Sequence, residues 1–216
     1  YWYGAASGGN NPPGGAGTPC APIGPTCATG MPMDTESDTT ALTVDAEFKL
    51  AGDDLLRIGV EHRLYRLDDW WPPSGAMMWP GTFWNIRDGE RDRSAAYAEW
   101  EHHFDARWVA ELGVRYEHVR MDAGNVQGYN PTSNMMGSYQ IRDAGLFNAA
   151  DRSLSDGNLD ASAIFRFARD ENTDIAFGIA RKVRSPGLYE VFPWSTWQMA
   201  ALMNNFVGDG NGYVGN

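Results

Sequence analysis

Nine methionines stand in the chain, most of them in Pro- and Gly-rich stretches. Met31 and Met33 form a Met-x-Met pair, Met77-Met78 and Met135-Met136 are adjacent, and Met199 and Met203 lie four apart. Thioethers are soft ligands that suit Cu(I), so these pairs could make weak surface metal sites. Methionine is also an adaptable apolar filler, and packing inside loops is the plainer account. Cys20 and Cys27 share one Pro/Gly-rich loop, with no further Cys or His nearby to complete a metal set. That spacing suits a small disulfide-closed loop in an oxidising compartment.

His102 and His103 are adjacent. On a strand, neighbours point to opposite faces, so the two cannot chelate one ion. His103 would share a polar face with Glu99 and Glu101, and His102 would sit near an interface. Asp209-Gly210-Asn211-Gly212 resembles the start of a calcium loop, but the further oxygen ligands are missing, and a glycine-rich turn is expected. A Gly-x-Ser-x-Gly nucleophile motif is absent, and Ser153 and Ser155 lie in a polar stretch with no arranged base. No catalytic role and no organic cofactor are expected.

The elements that would position such residues follow from composition and pattern. Acidic residues outnumber basic ones, 28 to 17, for a formal net charge of -11. That disfavours nucleic acid, whose backbone rewards clustered Lys and Arg, and permits cations as partners. Nine Trp, nine Tyr, nine Phe and 25 Gly occur without an apolar run of the roughly 20 residues that a membrane helix needs. The chain opens Tyr1-Trp2-Tyr3, without a signal peptide. We read it as a piece of a longer protein, residues 1–216 being one partial domain.

Period-two alternation is the strongest signal. Val44, Ala46, Phe48 and Leu50 alternate with Thr43, Asp45, Glu47 and Lys49. After Ala51-Gly52-Asp53-Asp54 the pattern resumes with Leu56, Ile58 and Val60 against Arg57, Gly59 and Glu61. Ala96, Ala98 and Trp100 begin a second hairpin, completed by Leu112, Val114 and Tyr116 after a turn at Asp105-Ala106. Leu159 to Phe167 and Ile175 to Ile179 make a third, around Asp170-Glu171-Asn172. Three hairpins are therefore expected, at about 40–67, 93–120 and 158–184, each with two strands of roughly ten residues. The turns inside hairpins are short, and the connections between them are long.

That asymmetry selects an architecture. Short turns at one end and long loops at the other mark bacterial outer-membrane barrels, whereas compact soluble domains rarely repeat long loops. The polar face carries Asp45, Glu47, Arg57, Glu61, Arg63, Glu99, Glu101, Glu111, Arg115, Glu117 and Arg166. So many charges must meet water. The expected fold class is all-β: part of a large antiparallel transmembrane β-barrel, with lipid outside and a wet lumen. A soluble sandwich is the competing architecture.

The segment Arg184 to Glu190, RSPGLYE, resembles a strand-to-loop passage of TonB-dependent outer-membrane receptors. Trp194-Ser195-Thr196-Trp197 and the run Met203 to Gly212, MNNFVGDGNG, resemble the copper receptor subfamily. The resemblance implies a 22-stranded barrel with an N-terminal plug that lies outside this chain, in contact with outer-membrane lipid. It implies active copper uptake at the bacterial outer membrane, energised by TonB through the plug. Its metal motifs, Cys-x-x-x-Met in the plug and His-x-Met in the barrel, are not matched at Cys20, Cys27, His62, His102, His103 or His118. Met31, Met33, Met135, Met136, Met199 and Met203 remain as the loop candidates for recruiting copper. A siderophore or cobalamin receptor and a passive porin are the alternatives.

Overall fold

The computed structural model describes residues 2–3, 31–32, 34–73, 81–131 and 138–196. A two-residue pair, β1 (Trp2–Tyr3) and β2 (Met31–Pro32), runs antiparallel. Six longer strands follow: β3 (Asp34–Lys49), β4 (Leu55–Trp71), β5 (Phe83–His103), β6 (Trp108–Asp122), β7 (Leu154–Asp170) and β8 (Thr173–Arg181). They form one antiparallel sheet in chain order. Two helices, α1 (Ser138–Ala149) and α2 (Leu188–Val191), lie in the long connections. The fold is all-β, and the sheet is a wall that does not close among the described residues. No described helix is long and apolar enough to cross a membrane, which says nothing of strands.

Opposed residues of paired strands share a face. One row reads Val44, Val60, Ala96, Tyr116, Leu159, and the next reads Asp45, Gly59, Tyr97, Arg115, Asp160. The first, outer face leaves Leu42, Val44, Val60, Val114, Phe177 and Ile179 exposed. An apolar surface of this extent belongs against another phase or partner, and hydrocarbon is the phase that a strand wall of this pattern fits.

Further up the wall the two faces exchange character. Low on β4, Leu56, Ile58 and Val60 are outward and Arg57, Glu61 and Arg63 inward; higher up, Arg66 and Asp68 are outward while Leu67 and Trp71 are buried inside. On β6, Leu112, Val114 and Tyr116 are outward, but beyond Glu117 the buried inner residues are Val119 and Met121, and Arg120 faces out. Strands β3 to β7, of 15 to 21 residues, consequently exceed the ten expected from alternation, while β8 has nine. The stretches expected as loops at 68–93 and 121–157 are partly strand, because the alternation continues there with its polarity reversed. At about 3.3 Å per residue, the 21 residues of β5 reach well past a hydrocarbon layer.

The upper wall is also bulged. Pairing moves from Leu67 with Gly89 to Asp69 with Ile86, then to Trp70 with Trp84. Each step leaves one extra residue on β5, which bends the strand and sharpens its twist. Asp88, in the first bulge, has φ 48°, a left-handed conformation that Asp tolerates better than most residues. Its N–H donates to Asp68 Oδ1 at 2.7 Å. Beside it, a Cβ on Gly89 would lie 2.7 Å from Ile86 Cγ2 and 3.2 Å from Leu188 Cδ1, so glycine there lets α2 seat against the sheet.

The described hydrophobic core therefore lies at one end of the wall, not along it. Leu67, Trp71, Phe83, Ile86, Val119 and Met121 from the strands meet Val126, Tyr129, Phe147, Leu188, Phe192 and Trp194 from the connections. The α1 connection is pinned by side chains. Asn148 exchanges two bonds with the Val126 backbone, at 2.8 and 2.9 Å, and Gln140 Oε1 accepts from Tyr129 N–H at 2.9 Å. Arg152 donates to the carbonyls of Ala123 and Phe147 at 2.8 and 2.7 Å. The long connections thus build a folded cap over the inner face.

Candidate functional site

Below the cap the inner wall carries a cross-strand ladder of charges. Arg57 on β4 donates to Glu47 on β3 at 3.0 Å, and Arg166 on β7 meets Glu111 on β6 at 3.0 Å. Between these, Arg115 donates to Glu61 at 2.9 Å and lies 3.6 Å from Glu117, which also accepts from Arg93. Bonds of this kind run perpendicular to the strands, so they tie the wall laterally where no apolar core exists. Tyr97 lies across Gly59, whose Cβ would stand 2.5 Å from the ring, and reaches Asp45 on the far strand. Gly59 is what allows the ring to lie flat on the sheet.

A recess of about 430 Å³ opens on this face between Tyr97, Glu99, Gly113, Arg115, Asp160 and Lys182. Its floor is Gly113 beside Ser162, and its rim is charged. The charged side chains here are of mixed sign and suit hydrated ions or polar groups.

The RSPGLYE segment closes over the top of this wall. Arg184 grips Glu190 with two bonds of 2.8 Å, and Gly187 N–H donates to the same carboxylate at 2.6 Å. Those donors, Arg184 first, hold the Glu190 carboxyl down at about 2. Ser185 Oγ donates to Asp156 at 2.7 Å and Asn158 Nδ2 donates to Ser185 Oγ at 2.6 Å. Tyr189 bonds the buried Asp69, which also accepts from Asn85 at 2.5 Å and Thr35 at 2.8 Å. Burial pushes the Tyr189 hydroxyl up, with the Asp69 charge adding to the shift.

The WSTW motif is anchored in the cap. Trp194 stacks on Phe83 with centroids 4.8 Å apart and donates from Nε1 to the carbonyls of Trp84 and Asn85, at 3.0 and 3.1 Å. Thr196 donates to buried Asp143 through both N–H (2.8 Å) and Oγ1 (2.5 Å). The described part of this motif is thus a structural anchor.

The two histidines separate as strand geometry requires. His102 lies on the outer face between Trp100 and Phe104, with centroids 5.1 and 4.4 Å away, and its Nδ1 bonds Asp54 at 2.8 Å. His103 Nε2 bonds Glu101 at 2.8 Å. No group of three or more His, Cys, Asp or Glu suited to a metal ion occurs among the described residues. Met31 falls in β2, where only the backbone is described, and Met33, Met77, Met78, Met135, Met136, Met199 and Met203 lie outside the described residues, as do Cys20 and Cys27. Met121, which is described, packs in the cap core.

Sequence reasoning passed over Arg91 and Arg93. The signal was present: Arg-x-Arg on β5 puts two cations on one face, and a third, Arg63, faces them from β4. It also passed over Leu188, Phe192 and Trp194 as core residues, since they carry no strand or long-helix period.

No curated protein and no solved structure matches the chain. The family model described as TonB dependent receptor-like, beta-barrel, matches residues 1–216. The apolar outer face, the charged inner wall and the folded cap are what such a barrel requires, and the chain belongs to the TonB-dependent receptor family, as part of its outer-membrane β-barrel.

Proposed function

We propose that this wall serves the active uptake of a scarce metal, copper first, through an outer-membrane receptor energised by TonB acting on a plug outside this chain. The family supports an outer-membrane receptor in general. The observation that carries transport is the reversal of the two faces. It leaves a charged, water-compatible inner wall beneath a cap whose core closes on Trp71, Phe83 and Trp194. A wall of that kind conducts polar cargo and restricts its entry, which favours a gated receptor over a passive porin.

Copper is supported by the resemblance of residues 194–212 to copper receptors, and by an acidic chain that raises the local concentration of cations. A second reading, a negatively charged metal complex, is favoured by the arginines below the cap. The test uses the complete receptor in cells. Uptake of copper at limiting supply is measured with and without TonB, with iron and zinc as controls. TonB-dependent copper accumulation that exceeds both controls supports the reading. TonB-dependent accumulation of iron only would keep the receptor and remove copper. Accumulation without TonB would make the wall a passive channel.

A further inference from the structure

Three arginines crowd the inner face just below the cap. Arg63 on β4 stands directly opposite Arg93 on β5, and Arg91 follows two positions along the same face. Like charges placed directly opposite each other on a sheet repel, and a wall selected for stability alone would pair one of them with an acid. The acids nearby do not fully answer them. Glu61 is shared between Arg115 at 2.9 Å and Arg63 at 3.4 Å, and Glu117 is shared between Arg93 and Arg115. Glu190 is taken by Arg184. Asp156, opposite Val119 on the next strand, is held by Ser185 Oγ and the N–H of Gly157. Arg91 hydrogen-bonds only a neutral acceptor, donating from Nη2 to the Ser185 carbonyl at 3.3 Å, and Glu117 and Glu190, both already engaged by other arginines, attract it only through space.

Two donors remain. The Nε atoms of Arg91 and Arg93 are buried and meet no hydrogen-bond acceptor. A buried donor without an acceptor costs about 1–3 kcal/mol, so an arrangement with two of them points to an absent acceptor. Guanidinium groups fork onto planar or tetrahedral oxyanions with two parallel N–H bonds. The place is also partly dry, roofed by Leu188 and the Arg184–Glu190 clasp, and Arg93 is only 26% exposed while Arg63, at 46%, opens toward the lumen.

Resting on the receptor reading above, we propose that Arg63, Arg91 and Arg93 form an anion-binding site on the inner wall, taking a carboxylate or phosphate group carried by the transported ligand. Arg63 is its exposed entrance, Arg93 its partly buried floor, and Ser185 fixes Arg91. The site discriminates by charge and by oxyanion shape, independently of which metal the ligand carries.

The test uses the complete receptor, purified in detergent and titrated calorimetrically with citrate, with inorganic phosphate and with Cu²⁺ alone. Saturable binding of citrate or phosphate is expected, weakening as salt rises. Arg63→Gln together with Arg91→Gln should weaken it by about tenfold or more, the loss expected for charge-assisted hydrogen bonds, while Cu²⁺ binding stays unchanged and the melting temperature does not fall. Should the double variant fail to fold, wild-type receptor treated with an arginine-specific dicarbonyl reagent still decides. Citrate or phosphate should protect Arg63 from modification. Absence of saturable anion binding, unchanged affinity in the double variant, or lack of protection each overturns the site. Anion binding that survives with no TonB-dependent uptake of any probe supports the site and sinks the transport reading instead.

Discussion

The indole of Trp194 stacks on the ring of Phe83, tilted by 21° with centroids 4.8 Å apart, and joins the segment after α2 to the bulged start of β5. Phe83 in turn meets Trp71 edge-on at 4.8 Å, so one stack connects a loop, a bulge and the end of β4. Truncating Trp194 to Ala should destabilise the cap by about 3–5 kcal/mol, the range for large buried aromatics. The barrel itself should survive. Limited proteolysis of the complete receptor should then cut within 185–196, with heat-modifiable migration of the barrel unchanged; an uncut cap would refute the anchoring role.

The Glu190 clasp gives the cap a pH limit. Its carboxyl falls from the ordinary 4.5 to about 2 in the folded protein, through Arg184 first and the Gly187 N–H second. A depressed carboxylate contributes stability above its unfolded value and loses it as pH drops through the folded one. Protection of 184–190 from protease should accordingly be full above pH 4.5 and decline toward pH 2. Glu190→Gln should flatten that decline. The effect is small and salt-sensitive, because the pair is exposed. Identical pH profiles for both proteins would contradict it.

Gly59 and Tyr97 should behave as one unit. Gly59→Val places methyls where the Tyr97 ring lies, and overpacking of this kind costs about 1–3 kcal/mol. Tyr97→Ala removes the obstacle and also the bond to Asp45. The double variant should be more stable than the sum of the two single effects, measured by denaturant unfolding of the refolded barrel. Simple additivity would mean that the ring does not rest on the glycine.

Glu117 is the acid on which two arginines converge. It is 8% exposed, and Glu117→Ala leaves Arg93 without its carboxylate and Arg115 with Glu61 alone on a partly dry wall. Loss of charge-assisted bonds is worth about 1.5–3 kcal/mol each before solvent screening. We expect a single variant to lower the midpoint of unfolding more than Glu47→Ala does, since Glu47 and Arg57 are both about half exposed. Equal effects would show that burial does not strengthen the central pair.

The lower wall was legible from residue order. Val44, Asp45, Ala46 and Glu47 announce both the strand and its two environments, and Asp170-Glu171-Asn172 marks the turn that pairs Asp170 with Thr173. The upper wall was not, for three physical reasons. Around Arg63 and Glu117 the medium outside changes from lipid to water, so Leu67 and Val119 turn inward and the pattern inverts without stopping. The bulges at Asp88 and Asn85 then interrupt the count on β5. Finally, Leu188, Phe192 and Trp194 gain burial from residues a hundred positions away, which no local period reports. The anion site was half visible: Arg63 was read as a polar-face residue, but its partners across the sheet depend on register.

The paired bulges also settle a question of phase. Each extra residue on β5 changes the numbering parity but not the facing: Ile86, even-numbered, points inward opposite Asp69 where Gly89, Arg91 and Arg93 are odd, and past the second bulge Phe83 is odd again and inside opposite Trp71. The bulges absorb the insertions, so sidedness along this strand follows pairing and not count. Deleting one of the extra residues would straighten its bulge and leave Phe83 opposite Trp71, whereas adding a residue that no bulge takes up would send Phe83 and its aromatic stack to the outside.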